Sequence, residues 1–480
     1  MGMGKPLRLQ IDRSAKTPLA EQIRQGIGSA IESGVLKPGA RLPSWMDLAS
    51  QLGVARGTVR AAYERLSDAQ LIVAAGANGT RVADRPGKAR RLEEPFKPGS
   101  FMEQYQEMTA GPLIFQMGVP AHEIFPAKLF SRIRSFAVRA EAAAPALYPD
   151  PRGELALRRE IAGYLAIARG VECSPSQIIV TSGYSGGLGL ALRALGLEGR
   201  KVWMENPGFP FTRHGLALAG LSLRLVPVDR DGIDVDRGIE TAPDAALVVV
   251  TPGQQAPLGS TLSLARRLRL LDWAAQSGAW IIEDDYLSEL QLEGRAAPAL
   301  ASLDRAGRVL HLGTFSKTIS PALRLGFLVA PPALAARLAE VAACLAPPPG
   351  PSVQHATAEF MREGHYMRHL RRTKRHAAAQ RDALMQCLKG RIEPISVAGL
   401  AALLHLPDAV PDLLVAKEMQ SVGLAPTPLR AWYGSAASAK AGLLLGIASA
   451  PIEQMAGACH RLLTVLHRFV GGHSRGRTPI

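Results

Sequence analysis

A primary amine held among apolar residues can react with carbonyl compounds to form an imine. The stretch Thr314-Phe315-Ser316-Lys317 places such an amine between two apolar runs, Val309-Leu310-His311-Leu312 and Leu325–Val329, with Arg324 seven residues after the lysine. A lysine flanked by two buried, strand-like segments is not a solvated surface lysine. A second group of chemical interest is Glu283-Asp284-Asp285-Tyr286, at the end of the apolar run Trp280–Ile282. Three consecutive acids repel one another unless a cation is near, and that cation is either a protonated ring nitrogen or a metal. No His or Cys stands close in sequence to complete a metal set. Two further stretches follow apolar runs. Thr181–Gly186 is a Gly/Ser turn whose backbone N–H groups suit an anion, or an ordinary turn. Asn206-Pro207-Gly208-Phe209-Pro210 offers an aromatic ring, for stacking on a planar ligand or for the core.

Pyridoxal 5'-phosphate (PLP) makes four demands on a protein: an imine-forming lysine, an acid beside the pyridine nitrogen, phosphate donors and a ring that stacks. In chain order, the turn at Ser182, Gly183 and Tyr184, then Phe209, Asp284, Lys317 and the pair Thr314/Arg324 can meet them, Arg324 through its planar fork. Each feature alone is weak; their order and spacing carry the reading.

The elements that must position these groups are those of an α/β domain. Ile178–Val180, Lys201–Met204, Ala246–Val250 and Trp280–Ile282 are short apolar runs alternating with helical patterns, the layout of a mostly parallel sheet. A proline cluster, Pro347, Pro348, Pro349 and Pro351, marks a boundary, after which a smaller α+β piece runs to about Phe469. The predicted organisation is a helical domain with a β-wing over 14–83, a linker over 84–112 with a short helix near Phe101–Met108, an α/β domain with its smaller α+β piece over 113–469, and a disordered tail over 470–480.

In the first domain, Leu19, Ile23, Ile27 and Ala30/Ile31 fall at helical spacing up to Gly34. Ser44 is an N-cap for a short helix carrying Trp45, Leu48 and Leu52 inward. A third helix from about Arg56 to Ser67 buries Val59, Tyr63 and Leu66, and shows Arg56 and Arg60 on the opposite face. Two β-type segments joined by Gly76-Ala77-Asn78-Gly79 form a hairpin. This is a helix-turn-helix pattern. Charge agrees with it. The formal net charge of the 480 residues is +15, and residues 1–91 hold 15 Lys and Arg against 7 Asp and Glu, a net of +8. A polyanionic partner is the functional reading of that excess. The four cysteines are far apart and form no Cys-x-x-Cys pair, which argues against zinc and a disulfide framework and fits a reducing cytoplasm. No apolar run reaches the roughly 18 residues that a membrane span needs.

The words LKPGARLPS (36–44), LASQLGVARGTVRAAYERL (48–66) and GANGTRV (76–82) resemble the winged helix-turn-helix of the GntR regulators. That resemblance implies contact with double-stranded operator half-sites through Ser44, Arg56, Thr58, Arg60 and the wing tip at Gly79. The family usually has Arg where Met46 stands, and Ser or Thr where Ala55 stands. The words YPDPRGELALRREIAGYLAIARGV (148–171), VTSG (180–183), ENPGFP (205–210), TPGQQAPLG (251–259), EDDYLSEL (283–290), HLGTFSKTISPALRLGFLV (311–329) and LLLGIA (443–448) resemble the fold-type I aminotransferase-like domain of the MocR/GabR subfamily. By this resemblance Lys317 is the Schiff-base lysine, Asp284 the partner of the pyridine nitrogen, Tyr286 a donor to the ring oxygen and Phe209 the stacking ring. The resemblance implies a homodimeric, PLP-binding transcription regulator that responds to PLP or to a small amino compound. An active aminotransferase with a vestigial reader is the alternative. Departures weaken the alternative: Ala256 stands where aminotransferases carry Asn, and Leu444 where they carry an Arg for the substrate carboxylate. Gly253, Gln254 and the turn at Tyr184-Ser185 also differ from the subfamily. The basic stretch Arg368, Arg371, Arg372, Lys374 and Arg375 reads as a solvated or dimer-facing helix, or as a second DNA contact.

Overall fold

The computed structural model describes residues 9–74, 79–84, 99–109, 111, 113–292, 296–392 and 395–470. The residues fall into two compact units, 1–98 and 99–480. Residues 76–78 of the predicted hairpin turn, most of the predicted linker and residues 471–480 of the predicted tail lie outside the described residues, and Val470 ends the helix Ile452–Val470.

The first unit has three helices, α1 (Leu19–Glu32), α2 (Trp45–Leu52) and α3 (Arg56–Asp68), then β1 (Ile72–Ala74) paired antiparallel with β2 (Thr80–Val82). Ile23, Ile27, Leu48, Val59, Ala62 and Leu66 are fully buried where the helices meet. Ser44 caps α2: its side chain accepts from the Asp47 N–H at 3.1 Å. The sequence placed Trp45 inward, and this is corrected: Trp45 is 37% exposed. It opens α2, and side chains on a helix lean toward the N-terminus, so its ring passes off the end of the core that Leu48 enters.

The second unit is built on an eight-stranded sheet. Its strands are β3 (Ile178–Thr181), β4 (Lys201–Asn206), β5 (Ser222–Asp229), β6 (Gly232–Ile233), β7 (Leu247–Val250), β8 (Trp280–Asp285), β9 (Val309–Thr314) and β10 (Gly326–Val329), in the order β3-β10-β9-β8-β7-β4-β5-β6. The five strands β5, β4, β7, β8 and β9 run parallel. Among them β7, Leu247–Val250, is apolar and buried on both faces because helices cover both faces. Strand β10 runs antiparallel between β9 and β3, placing Phe327 opposite Gly313; a Cβ at Gly313 would lie 2.1 Å from the Phe327 ring. Only glycine fits there. Strand β5 was absent from the sequence candidates. It lies near the sheet edge, half-exposed, and contains Pro227, so neither an apolar run nor clean alternation announces it.

A smaller antiparallel sheet contains β11 (Ile395–Ala398), β12 (Ala401–His405), β13 (Thr427–Pro428) and β14 (Gly442–Gly446), in the order β11-β12-β14-β13. Helices Asp412–Gln420 and Ile452–Val470 and the end of His365–Leu388 cover it. Helix Pro351–Arg362, just after the proline cluster, packs instead in the core of the larger part: Val353, Phe360 and Met361 join Phe130, Leu157 and Ile161. The segment 113–118 returns along the small sheet, where the Gly446 N–H donates to Phe115 O at 2.8 Å. Among the described residues no helix is long and apolar enough to cross a membrane.

Candidate functional site

The C-terminal ends of parallel strands are where α/β sheets hold ligands. Here Asn206 ends β4, Thr251 follows β7, Asp284 and Asp285 end β8, and Lys317 lies in the turn after β9. The Lys317 Nζ donates to Gly118 O at 2.9 Å. Burial holds its ammonium below the ordinary lysine range, and the charge of Asp284 opposes that pull. A lowered amine is a better nucleophile near neutral pH.

Strand alternation separates the acid run into two faces. Glu283 accepts from the N–H groups of Leu300 (2.6 Å) and Ala301 (2.9 Å), and lies 2.9 Å from His311 Nδ1. Asp285 accepts from Arg169 Nε at 2.7 Å, and His311 Nε2 is 3.7 Å away. The cation that the acid run requires is therefore Arg169, from the distant helix Leu155–Arg169, which the sequence reading missed. Nothing in the spacing marks it; only its place on a largely apolar helix is a signal. With two acids engaged on one face, the run does not converge on a metal, and no metal-binding group of three occurs among the described residues.

Asp284 faces the other way, toward Lys317 and the Tyr184 hydroxyl. Burial, then the charges of Asp285 and Glu205, push its carboxyl well above the usual carboxylate range, while Lys317 and Tyr184 pull it down. A cationic ring nitrogen placed against Asp284 would stabilise the carboxylate. Glu205 was also missed. It is buried, accepts from the Thr251 hydroxyl at 2.6 Å and the Thr251 N–H at 3.1 Å, and burial lifts its pKa to about 7. The sequence reading put Tyr184 in the phosphate turn; its hydroxyl lies 2.8 Å from Thr212 Oγ1 and at Asp284.

At the other end of the site, Arg324 NH2 donates to Ser182 O at 3.2 Å. Gly183 opens helix Gly183–Leu195 with φ +74, and Gly326 sits opposite both Thr181 and Thr314. A Cβ at Gly326 would lie 3.0 Å from Gly183 Cα, so the backbones meet there because side chains are absent. Ser182, Gly183, Thr314 and Arg324 thus lie together, a set that could hold an anion. The Thr314 hydroxyl donates to Ser316 Oγ at 3.0 Å. Phe209 lies between Tyr184, Phe211 and Trp432, with ring centroids 6.4, 5.0 and 5.6 Å away. Tyr286 packs in the same apolar cluster as Phe209, Ala256 and Leu444, and burial raises its phenol. The donors, the buried acid and the amine fit PLP, which would meet Lys317 at its carbonyl, Asp284 at its ring nitrogen and the set around Arg324 at its phosphate.

Two neighbours were not foreseen. His369 Nε2 lies 2.7 Å from Thr318 O, and the Tyr366 hydroxyl donates to Thr318 Oγ1 at 3.1 Å, so the helix His365–Leu388 braces the turn that carries Lys317. On that helix Arg368, Arg371, Arg372 and Arg375 are exposed. The predicted helix near Phe101–Met108 is present as Ser100–Thr109; Phe101 stacks on His214 at 3.8 Å, and Tyr105 lies 5.2 Å from Phe211.

In the first unit Arg56 and Arg60 are exposed on α3, and Arg60 Nε pairs with Glu64 at 2.9 Å. Ala55 gives the start of α3 no side-chain cap, and the Thr58 N–H in that turn donates to Ala55 O at 3.0 Å. Gly79 has φ +77, and a Cβ there would lie 3.3 Å from Arg41 Nε, a cation at the wing that the sequence reading did not select.

The model of bacterial regulatory proteins of the gntR family matches residues 19–82, and that of aminotransferase class I and II matches residues 124–431. The chain is 33% identical to a probable rhizopine catabolism regulatory protein MocR of Rhizobium meliloti, over 98% of each chain. It is 35% identical to an HTH-type pyridoxine biosynthesis transcriptional regulator PdxR of Corynebacterium glutamicum, over 91% of this chain and 92% of that one. An archaeal alanine:glyoxylate aminotransferase structure superposes with a TM-score of 0.71 at 24% identity, covering 78% of this chain and 96% of that chain. A Pyrococcus horikoshii kynurenine aminotransferase gives 0.69 at 22%, covering 78% and 95%. These two likenesses establish the fold. With a winged helix-turn-helix joined to a fold-type I aminotransferase domain over nearly its whole length, the chain belongs to the MocR-type GntR transcription regulators.

Proposed function

We propose that this regulator binds PLP on Lys317 as its Schiff-base lysine, and that PLP itself or a small amine at this site sets how the helix-turn-helix unit binds its operator. The observation that carries the reading is one strand-end cluster: an amine with lowered basicity at Lys317, a buried acid at Asp284 and a cradle at Ser182, Gly183, Thr314 and Arg324. When bound, PLP supplies an electrophilic carbonyl and an electron-withdrawing ring. Asp284 would hold the ring-nitrogen proton, Phe209 would cover one face of the ring and Tyr286 would donate to its oxygen. Ser44, Arg56, Thr58, Arg60 and Gly79 contact the duplex.

A homodimer, which suits paired half-sites, is part of the proposal. Its support is apolar surface that one chain leaves open: Leu147 and Tyr148 are 81% and 102% exposed. The helix Ser100–Thr109, at the end of the predicted linker, gives the effector signal a route, because Phe101 and Tyr105 rest on the helix that begins at Pro210, next to Phe209. A regulatory equilibrium of this kind needs the ligand to favour one arrangement over another.

The test is an absorbance spectrum of the purified chain with PLP, before and after borohydride, beside Lys317→Ala. A visible band that borohydride removes and the variant lacks supports the reading. A protein that binds operator DNA and never develops the band refutes the cofactor part.

A further inference from the structure

The reading of Lys317 as the PLP anchor leaves open which amines the site accepts, and the inference here rests on that reading. We infer that the site selects amines with an apolar body and no carboxylate, and that the indole N–H of Trp432 offers such a ligand a single neutral hydrogen bond.

The wall beside Lys317 toward the small sheet is apolar. Ala256, Leu403, Trp432 and Leu444 are buried in one cluster, with Met117 and Phe209 packed against it. Met117 precedes Gly118, whose carbonyl accepts from Lys317 Nζ at 2.9 Å, so this wall adjoins the amine. Leu444, fully buried on β14, has Leu403 and Thr427 as strand partners, and β14 is bound to the segment that leads to Gly118 through the Gly446 N–H, which donates to Phe115 O at 2.8 Å.

A carboxylate entering this wall needs a cation or several N–H donors, since burying it unpaired costs far more than one hydrogen bond returns. Among the described residues, the guanidinium groups of Arg430, Arg213 and Arg324 are committed elsewhere. Arg430 donates to Asp412 Oδ1 at 3.2 Å and to the carbonyls of Val410 and Asp408. Asp412 is completely buried and accepts as well from the N–H groups of Arg430 and Gly442, so withdrawing the Arg430 side chain would leave a buried carboxylate without its cation. Arg213 donates to the carbonyls of Trp432 (3.0 Å) and Ala431 (3.2 Å). Arg324 stands at Ser182, on the phosphate side.

What the wall does offer is the Trp432 Nε1–H, buried and, among the described residues, with no acceptor. An indole N–H donates once and carries no charge, which suits a hydroxyl or ether oxygen and cannot neutralise a carboxylate. A buried donor without an acceptor costs about 1–3 kcal/mol, so a ligand oxygen that meets it removes a standing penalty.

The experiment titrates the full-length, PLP-loaded protein with matched pairs, tyramine against tyrosine and isobutylamine against valine, and follows the visible band. The expected result is half-saturation by each amine at a concentration at least about tenfold below that of its amino acid. Trp432→Phe should weaken tyramine several-fold and leave isobutylamine unchanged, a split that general loss of packing would not give. Equal or better response to the amino acids overturns the inference. So does a normal band that no amine moves, while PLP binding stands. Absence of the band removes the parent reading and this inference with it.

Discussion

Arg169 Nε meets Asp285 Oδ2 at 2.7 Å, with both side chains at most 4% exposed. This pair, from a helix end and a strand end, allows three acids to stand in a row on β8 and leaves Asp284 to the ligand face. Breaking a buried pair from one side strands the other charge. Arg169→Met should therefore lower stability by about 3–5 kcal/mol, read as a drop in the denaturant midpoint. An unchanged midpoint would mean that Asp285 finds another cation.

Glu205 makes stability depend on pH in an unusual direction. Its folded pKa, about 7, lies above the ordinary 4.5, so the folded chain binds the proton more tightly than the unfolded chain. The resulting stabilisation is full below the unfolded value and fades as pH rises through about 7. Its size is up to about 3 kcal/mol. Glu205→Gln should flatten this part of the profile, checked by urea unfolding at about pH 5 and about pH 8. A variant with the slope of the parent would assign the proton elsewhere.

Asp284 raises the basicity of Lys317 while burial lowers it. Asp284→Asn should move Lys317 further below the ordinary lysine range and weaken PLP binding. In the cofactor-free chain, trinitrobenzenesulfonate labelling of the Lys317 peptide should begin at lower pH in the variant than in the parent. Labelling that moves to higher pH would contradict the geometry of the pair.

Arg56 is exposed near the start of α3, with no acid in that first turn. Arg56→Ala should cost about 1–3 kcal/mol of operator affinity if the side chain reads a guanine, and relax preference at one base pair. If it meets phosphate, binding should fall evenly across sequences and the salt slope should drop by about one. Binding to a panel of operator variants at two salt concentrations separates the two.

The residues that were legible in the sequence share one property: their signal is local. β7 is a continuous apolar run, α3 repeats at helical spacing, and Ser44 stands one residue before the helix it caps. Lys317, Asp284 and Phe209 could be found because each directly follows or ends such a run. The illegible parts depend on distance or direction. Arg169 lies 116 residues from Asp285, and His369 lies 51 residues from Thr318. Nothing near either partner announces it. Tyr184 sits in the anticipated turn, yet its side chain reaches past the phosphate end to Asp284, a matter of rotamer that sequence spacing does not encode. Trp45 is apolar and periodic, but its place at the first turn of α2 takes it off the core.

The hydrogen bond from Lys317 to Gly118 sets a scale for regulation. Gly118 has φ +76, and a Cβ there would lie 2.8 Å from Nζ, so glycine alone lets the amine rest on that carbonyl. In the proposed reading an amine engaged by a ligand gives up this bond, and the carbonyl it leaves belongs to the segment 113–118, which follows helix Ser100–Thr109 in the chain and bonds to the small sheet through Gly446. One such bond is worth about 1 kcal/mol, or roughly fivefold in an equilibrium. A regulator working through that contact alone has shallow gain; a response of a hundredfold would require the two sheets themselves to move.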